Sequence, residues 1–184
     1  MTTRVGSPPL TPAVARAALV AMADDELLHA AGVLMLLAGL RRGEVTGLLV
    51  GDWHPGEDPK LTVRSRGQER TIRVAPTAAA VLDDLLAGED AEPREPLLLG
   101  LKPDGIPFRL PRLFDEAMKR AGLDATTHAL RRTAQMAVIE DGTAMAHLNA
   151  YFGLSAKFED KPLVPVPEGY DLGIVQVLEA AFTG

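Results

Sequence analysis

Arg41, His128 and Arg131 are the residues of this chain whose types and spacing suit chemistry. Arg41 stands in Ala38-Gly39-Leu40-Arg41-Arg42-Gly43-Glu44, after an apolar run and a glycine that turns the chain. His128 and Arg131 stand about ninety residues later in His128-Ala129-Leu130-Arg131-Arg132-Thr133, at i and i+3, on one face of a helical turn. Two arginines and a histidine suit a phosphodiester. Guanidinium forks donate in pairs to phosphate oxygens, a histidine moves protons near neutral pH, and the pentacoordinate transition state gathers negative charge that such donors stabilise. Taken alone, Arg41 equally suits a helix end, where an arginine bonds free carbonyls. His128 equally suits a first-turn histidine bonded to Thr126 or to a backbone carbonyl.

The elements that must position these residues can be read from caps, glycines and periodicity. Residues 1–10, with Gly6, Pro8 and Pro9, read as a flexible leader. Thr11 and Pro12, an N-cap with proline at N1, open a helix to Met22. Asp24 or Asp25 caps a second helix with a wide apolar stripe (Leu27, Leu28, Ala31, Leu34, Leu37, Ala38), and Gly39 ends it. A short helix from about Arg42 to Leu49 follows. From Lys60 to Ala75 the period changes to two: Leu61, Val63, Ile72 and Val74 alternate with Thr62, Arg64, Thr71 and Arg73. Gly67-Gln68 lies between the two runs, which predicts an antiparallel hairpin with one buried face. Thr77 caps a helix through Leu86, ended near Gly88. An acidic, proline-containing loop leads to a short strand at Leu97–Leu101.

Helical pattern returns from about Arg112 to Ala121. Thr126 or Thr127 caps the helix that carries His128 and Arg131 to about Glu140, and Thr143 caps the next, which ends at Gly153. Residues 154–170, with Pro162, Pro165 and Pro167, cannot be regular helix. Asp171 caps a last helix over 171–183 with Leu172, Val175, Leu178 and Phe182 on one face. The expectation is a single domain over residues 11–184, mainly α with a small antiparallel sheet (α+β).

From about Leu10 to Gly153 the chain resembles the catalytic domain of tyrosine recombinases, the phage integrases and their relatives, in both motifs and in the order of elements. The resemblance implies that Arg41 holds a non-bridging phosphate oxygen, that Glu44 packs behind its turn, and that Asp52 is structural. It implies that His128 assists proton transfer and that Arg131 clamps the phosphate with Arg41. Arg66 takes the place of the family's lysine general acid; an arginine stays charged and grips a phosphate but is a poor proton donor. Arg132 stands where the family often has histidine. Leu154 replaces a histidine or tryptophan that bonds the phosphate, and Leu163 stands where the nucleophilic tyrosine is expected. Tyr170 comes about seven residues later, either as a displaced nucleophile or as a packing residue at a helix entry; Tyr151 lies on the wrong side of the motif. The site so expected comprises Arg41, Arg66, His128, Arg131 and Tyr170, with Arg42, Arg64, Arg66, Arg70, Arg73 and Arg132 as DNA contacts. The hairpin arginines suit a phosphate-tracking ribbon or simply a solvated face. No segment resembling the family's N-terminal core-binding domain is expected.

Charge argues against a simple nucleic-acid binder. The net charge is −6, with 19 basic and 25 acidic residues among 184. The acid excess sits at the end: beyond Thr133, Lys157 and Lys161 are the only basic residues. There is no cysteine, and His29 and His54 have no partner at metal-ligand spacing, so neither a metal nor a cofactor is expected. The run Leu27–Leu40 is too short to cross a bilayer, and a cytoplasmic protein is expected. Three functions follow as alternatives. One is a recombinase-like accessory or regulatory factor that binds double-stranded DNA weakly and salt-sensitively without catalysis, which is the preferred expectation. Another is an active recombinase using Tyr170. The third is a protein-interaction module, or homo-oligomer, docking through the last helix.

Overall fold

The computed structural model describes residues 8–65, 67–88, 91–98, 109–154 and 166–183. Helix α1 (Pro12–Met22) starts where Thr11 accepts from the Val14 amide. Helix α2 (Glu26–Leu37) starts at Asp25, whose carboxylate accepts from the Leu28 amide. Every residue from Ala30 to Leu40 is buried, as befits a helix that is apolar all round. Around it pack α1, α4 (Pro76–Leu86), α5 (Arg109–Ala121), α6 (Thr127–Glu140) and α8 (Leu172–Thr183). The one-turn helix α3 (Arg42–Val45) follows the end of α2, and α7 (Met145–Phe152) follows α6.

The sheet is antiparallel in the order β1 (Trp53–His54), β2 (Lys60–Ser65), β3 (Gln68–Arg73). The register pairs Leu61 with Ile72 and Val63 with Arg70. Leu61, Val63 and Ile72 are buried, while Arg64, Glu69 and Thr71 lie on the outer face. Trp53 is anchored to α4 by its indole N–H, which donates to Asp83 at 3.0 Å. The mainly α architecture with a small antiparallel sheet is the expected fold class.

Several local expectations are corrected. The helix expected over Arg42–Leu49 stops at Val45, before Gly47, and a 3₁₀ turn at Val50–Asp52 follows. Thr77 is no cap. Proline at N1 starts α4 at Pro76, and the Thr77 amide and hydroxyl both donate to Glu179 of α8. Thr143 belongs to the turn that closes α6, its amide bonding Val138 O, and Ala144 precedes α7. The Asp171 carboxylate turns away from α8 and accepts from the Arg73 amide and guanidinium. Leu172 is exposed; the buried face of α8 is Ile174, Val175, Leu178 and Phe182. That face packs within the chain, and Arg16 donates to Ala181 O at the far end of the helix. Leu97 and Leu98 form a turn rather than the start of the strand expected at Leu97–Leu101, the rest of which lies outside the described residues, and Pro96 just before them forms an isolated bridge with Leu49. The irregular segment at 155–165 lies outside them too. The described part of the leader ends with the Leu10 amide on Thr133 Oγ1.

Two glycines position the site. Gly39 ends α2 at φ +60° and Gly153 ends α7 at φ +58°. A Cβ at Gly39 would overlap the Phe152 ring. Gly39→Ala therefore combines left-handed strain of about 1 kcal/mol with overpacking of about 1–3 kcal/mol. The expected outcome is a loss of about 2–4 kcal/mol, read as a lower urea midpoint at unchanged m.

Candidate functional site

Glu44 is the centre of the site. Its side chain is 1% exposed and makes ion pairs with three arginines. Arg41 donates to it through its backbone N–H at 2.8 Å and through Nη1 at 2.8 Å. Arg70 donates in bidentate fashion, Nη1 to Oε1 at 2.9 Å and Nη2 to Oε2 at 3.1 Å. Arg131 Nη1 lies 3.7 Å from Oε2. The elements explain the convergence. Arg41 directly precedes α3, one turn from Glu44. Arg131 is on the buried face of α6, and Arg70 shares the inner face of β3 with Ile72.

The remaining donors go to helix ends. Arg131 donates to Gly39 O at the end of α2 and to Phe152 O at the end of α7, the latter at 2.6 Å. Arg41 Nη2 donates to Gly153 O at 2.6 Å, and Arg70 Nε to Tyr151 O at 2.9 Å. Carbonyls in the last turn of a helix have no partner in the helix itself, so cations are favoured there. The helix-end alternative for Arg41 thus holds in this fold, applied to α7 rather than to α2.

Burial lowers the Arg131 guanidinium to about 10, the Arg41 and Arg70 charges push the same way, and Glu44 opposes them; it remains a cation at neutral pH. Burial pushes Glu44 up. The hydrogen bonds from Arg70 and from the Arg41 amide, with the charges of Arg70 and Arg131, outweigh it and hold the carboxyl below its ordinary range.

His128 and Arg132 are exposed, one turn apart on α6, and Arg42 is exposed at the start of α3; none of the three is paired with a described residue. Arg66 lies outside the described residues. The other hairpin arginines are engaged. Arg64 pairs with buried Asp52 and with Glu69, and Arg73 with Asp58 and Asp171. Arg70 points inward. The alternation that places Ile72 in the core places Arg70 beside it, a signal present in the sequence but not used there.

Tyr170 lines a shallow groove of about 300 Å³ with Lys60, Thr71, Arg73 and Asp171, within reach of the Arg70 charge. Its ring meets His147 at 5.7 Å between centroids. Burial, then the Asp171 charge, pushes its hydroxyl up to about 12 against the opposing charges of Arg70 and Arg73, the wrong direction for a nucleophile. Tyr151 is fully buried and donates to Arg73 O at 3.0 Å. Leu154 follows Gly153 with its amide on Asn149 O and offers no polar side chain. Among the described residues no group of histidine and acidic side chains could hold a metal ion, and no helix is long and apolar enough to cross a membrane.

No family model and no curated protein matches the chain. Solved structures do. The integrase from mycobacterium phage Brujita superposes with a TM-score of 0.74 at 17% identity, over 97% of this chain and 60% of that one. XerA recombinase gives 0.69 at 19% identity, over 98% and 63%. The fold is that of a tyrosine recombinase catalytic domain. A lambda integrase dimer bound to a COC′ core site matches with a TM-score of 0.60 and 18% identity, over 90% of this chain and 64% of that one. The chain spans under two thirds of each of these structures. Arg41 and Arg131 both pair with Glu44 in this fold, and Arg70 joins them there.

Because the folded Glu44 carboxyl lies below its ordinary value, taken as 4.5, its ionisation stabilises the fold above that pH. The stability is lost as pH falls through the lower folded value. Glu44→Gln is expected to flatten this part of the acid dependence. Urea midpoints of both proteins at pH 7 and in the acid range test it; parallel curves would contradict the assignment.

Proposed function

We propose that this chain is a recombinase-fold protein that binds double-stranded DNA as an accessory or regulatory factor and has lost or greatly weakened strand transfer. The observation that carries the reading is the use of the arginines. Arg41 and Arg131, which the fold would assign to a phosphate, are bonded to Glu44 and to the carbonyls that end α2 and α7. A phosphoryl site stabilises its transition state with donors free to follow the developing charge. Guanidiniums that also hold helix-end carbonyls are less free to follow that charge. A tyrosine pushed up to about 12, with no base hydrogen-bonded to it among the described residues, supplies no ready nucleophile.

Binding is supported on separate grounds. Arg42, His128 and Arg132 are exposed beside the cluster and unpaired among the described residues, and a related fold is seen in a lambda integrase dimer bound to a COC′ core site. The acidic chain as a whole opposes DNA, so the contact rests on few cations and is salt-sensitive.

Fluorescence anisotropy with a duplex, from low to physiological salt, tests the binding. The expected dissociation constant is about 10⁻⁴–10⁻⁶ M for non-specific contact. Arg42→Ala with Arg132→Ala should weaken it and reduce the salt slope by about 2, whereas Arg64→Ala should change it little. No binding at low salt would overturn the DNA reading. For catalysis, supercoiled plasmid should stay supercoiled with wild type and with Tyr170→Phe alike; relaxation abolished by that substitution would restore an active enzyme.

A further inference from the structure

β3 is an edge of the sheet: β2 pairs with one side of it, and among the described residues no strand lies on the other. The ladder fixes which groups face that open side. The Val74 amide bonds Pro59 O. The Arg73 amide instead donates to Asp171 Oδ2 at 2.8 Å, and Arg73 O accepts from the Tyr151 hydroxyl at 3.0 Å. In an antiparallel pair the direction alternates with every residue, so the N–H and C=O of Glu69 and Thr71 face the same way as those of Arg73. An open edge of this kind is a template for another strand. This one is self-complementary. Two β3 strands set antiparallel about Thr71 place the two Thr71 residues opposite each other, and Glu69 of each copy opposite Arg73 of the other. These residues lie on the outer face, and opposite charges so placed stabilise a strand pair. Every outward N–H and C=O from Glu69 to Arg73 would find a partner.

The fold denies this pairing at one residue. Asp171 and Tyr151 hold both backbone groups of Arg73, and Asp171 takes its guanidinium as well. With Arg73 withdrawn, only the central Thr71 pair is left to form. Arg70, turned inward from the same strand onto Glu44 and Tyr151 O, is a second guard, since an inward charge hinders strand addition. Tyr151 belongs to α7 and Asp171 directly precedes α8, so the packing of these helices also covers the edge.

We propose that Asp171 and Tyr151 cover the β3 edge against a second copy of this chain, and that Asp171 is the part of the cover whose loss lets β3 pair with β3. Such a contact uses the same surface on both copies and closes after two. It involves none of Arg42, His128 and Arg132, so its fate is separate from that of the duplex measurement.

The test is the mass of the protein in solution, by light scattering at rising concentration. Wild type should keep one mass throughout, and Asp171→Ala should rise about twofold and stop there. Adding Thr71→Pro should restore the wild-type mass, because the Thr71 N–H faces away from β2 and proline there removes an edge donor without a ladder bond. Adding Glu69→Lys, which sets like charges opposite one another, should lower the gain. An unchanged mass for Asp171→Ala, growth beyond the doubled mass, or a gain that survives Thr71→Pro would overturn the proposal. The last two would trace association to apolar surface released with α8 instead. If Asp171→Ala fails to fold by circular dichroism, Asp171→Asn, which keeps the shape and gives up the charge, decides by the same measurements. A gain reversed by Thr71→Pro supports the cover, and no gain overturns it.

Discussion

A carboxylate that keeps its charge out of reach of water must be surrounded by cations, and Glu44 is in that position. An isolated buried carboxylate would cost several kcal/mol and would take up a proton instead. Arg41, Arg70 and Arg131 prevent this, and because they come from the turn after α2, from β3 and from α6, they fix those three elements against one another. The same guanidiniums then satisfy carbonyls at the ends of α2 and α7. The glycines at those ends make the approach possible: Gly39 leaves room for the Phe152 ring, and Gly153 for Arg70. Removing any one partner leaves charged or polar groups without their counterparts, which is costlier than the bond itself is worth.

A second polar junction holds α8 and repeats the same logic. Asp171 receives the Arg73 amide and guanidinium, Glu179 receives the Thr77 amide and hydroxyl, and the Tyr151 hydroxyl donates to Arg73 O. Two carboxylates of the acidic C-terminal region thus take donors from the stretch between β3 and α4. The segregation of charge along the sequence, arginines early and acids late, becomes contact rather than separation in the fold. It also explains how a chain with a net charge of −6 neutralises its described hairpin arginines: Arg64, Arg70 and Arg73 each have an acidic partner.

Local signals were legible wherever a residue's partner lies within one turn. Thr11, Asp25 and Thr126 cap their helices, and Gly39 and Gly153 end theirs. The hairpin follows from its alternation. The helix expected to Leu49 and the cap expected at Thr143 failed locally, while Thr77, Asp171 and Arg70 failed because their partners are remote in sequence. Thr77 and Asp171 have the composition of caps, but Glu179 and Arg73, about a hundred residues away, bind them instead. Arg70 was grouped with its neighbours by charge, although the pairing with Val63 turns it inward. For the site, the meeting of Arg41 with Arg131 could be read from two motifs. The identity of their acceptors could not, because backbone carbonyls carry no trace in sequence.

The exposure of the two motif arginines bears on how binding and chemistry separate in this fold. Arg41 is open to solvent over about a third of its side chain, and Arg131 is almost wholly enclosed. On the proposed reading, a phosphate approaching from solvent would meet Arg41 first, with Arg131 behind it. Transfer of a phosphoryl group asks for more: donors on both sides of the phosphorus, tightening as charge builds on the equatorial oxygens. Arg131 commits two of its five N–H donors to Gly39 O and Phe152 O, and removing it would leave two carbonyls in the core unpaired. The same two bonds tie α2, α6 and α7 together through a single guanidinium.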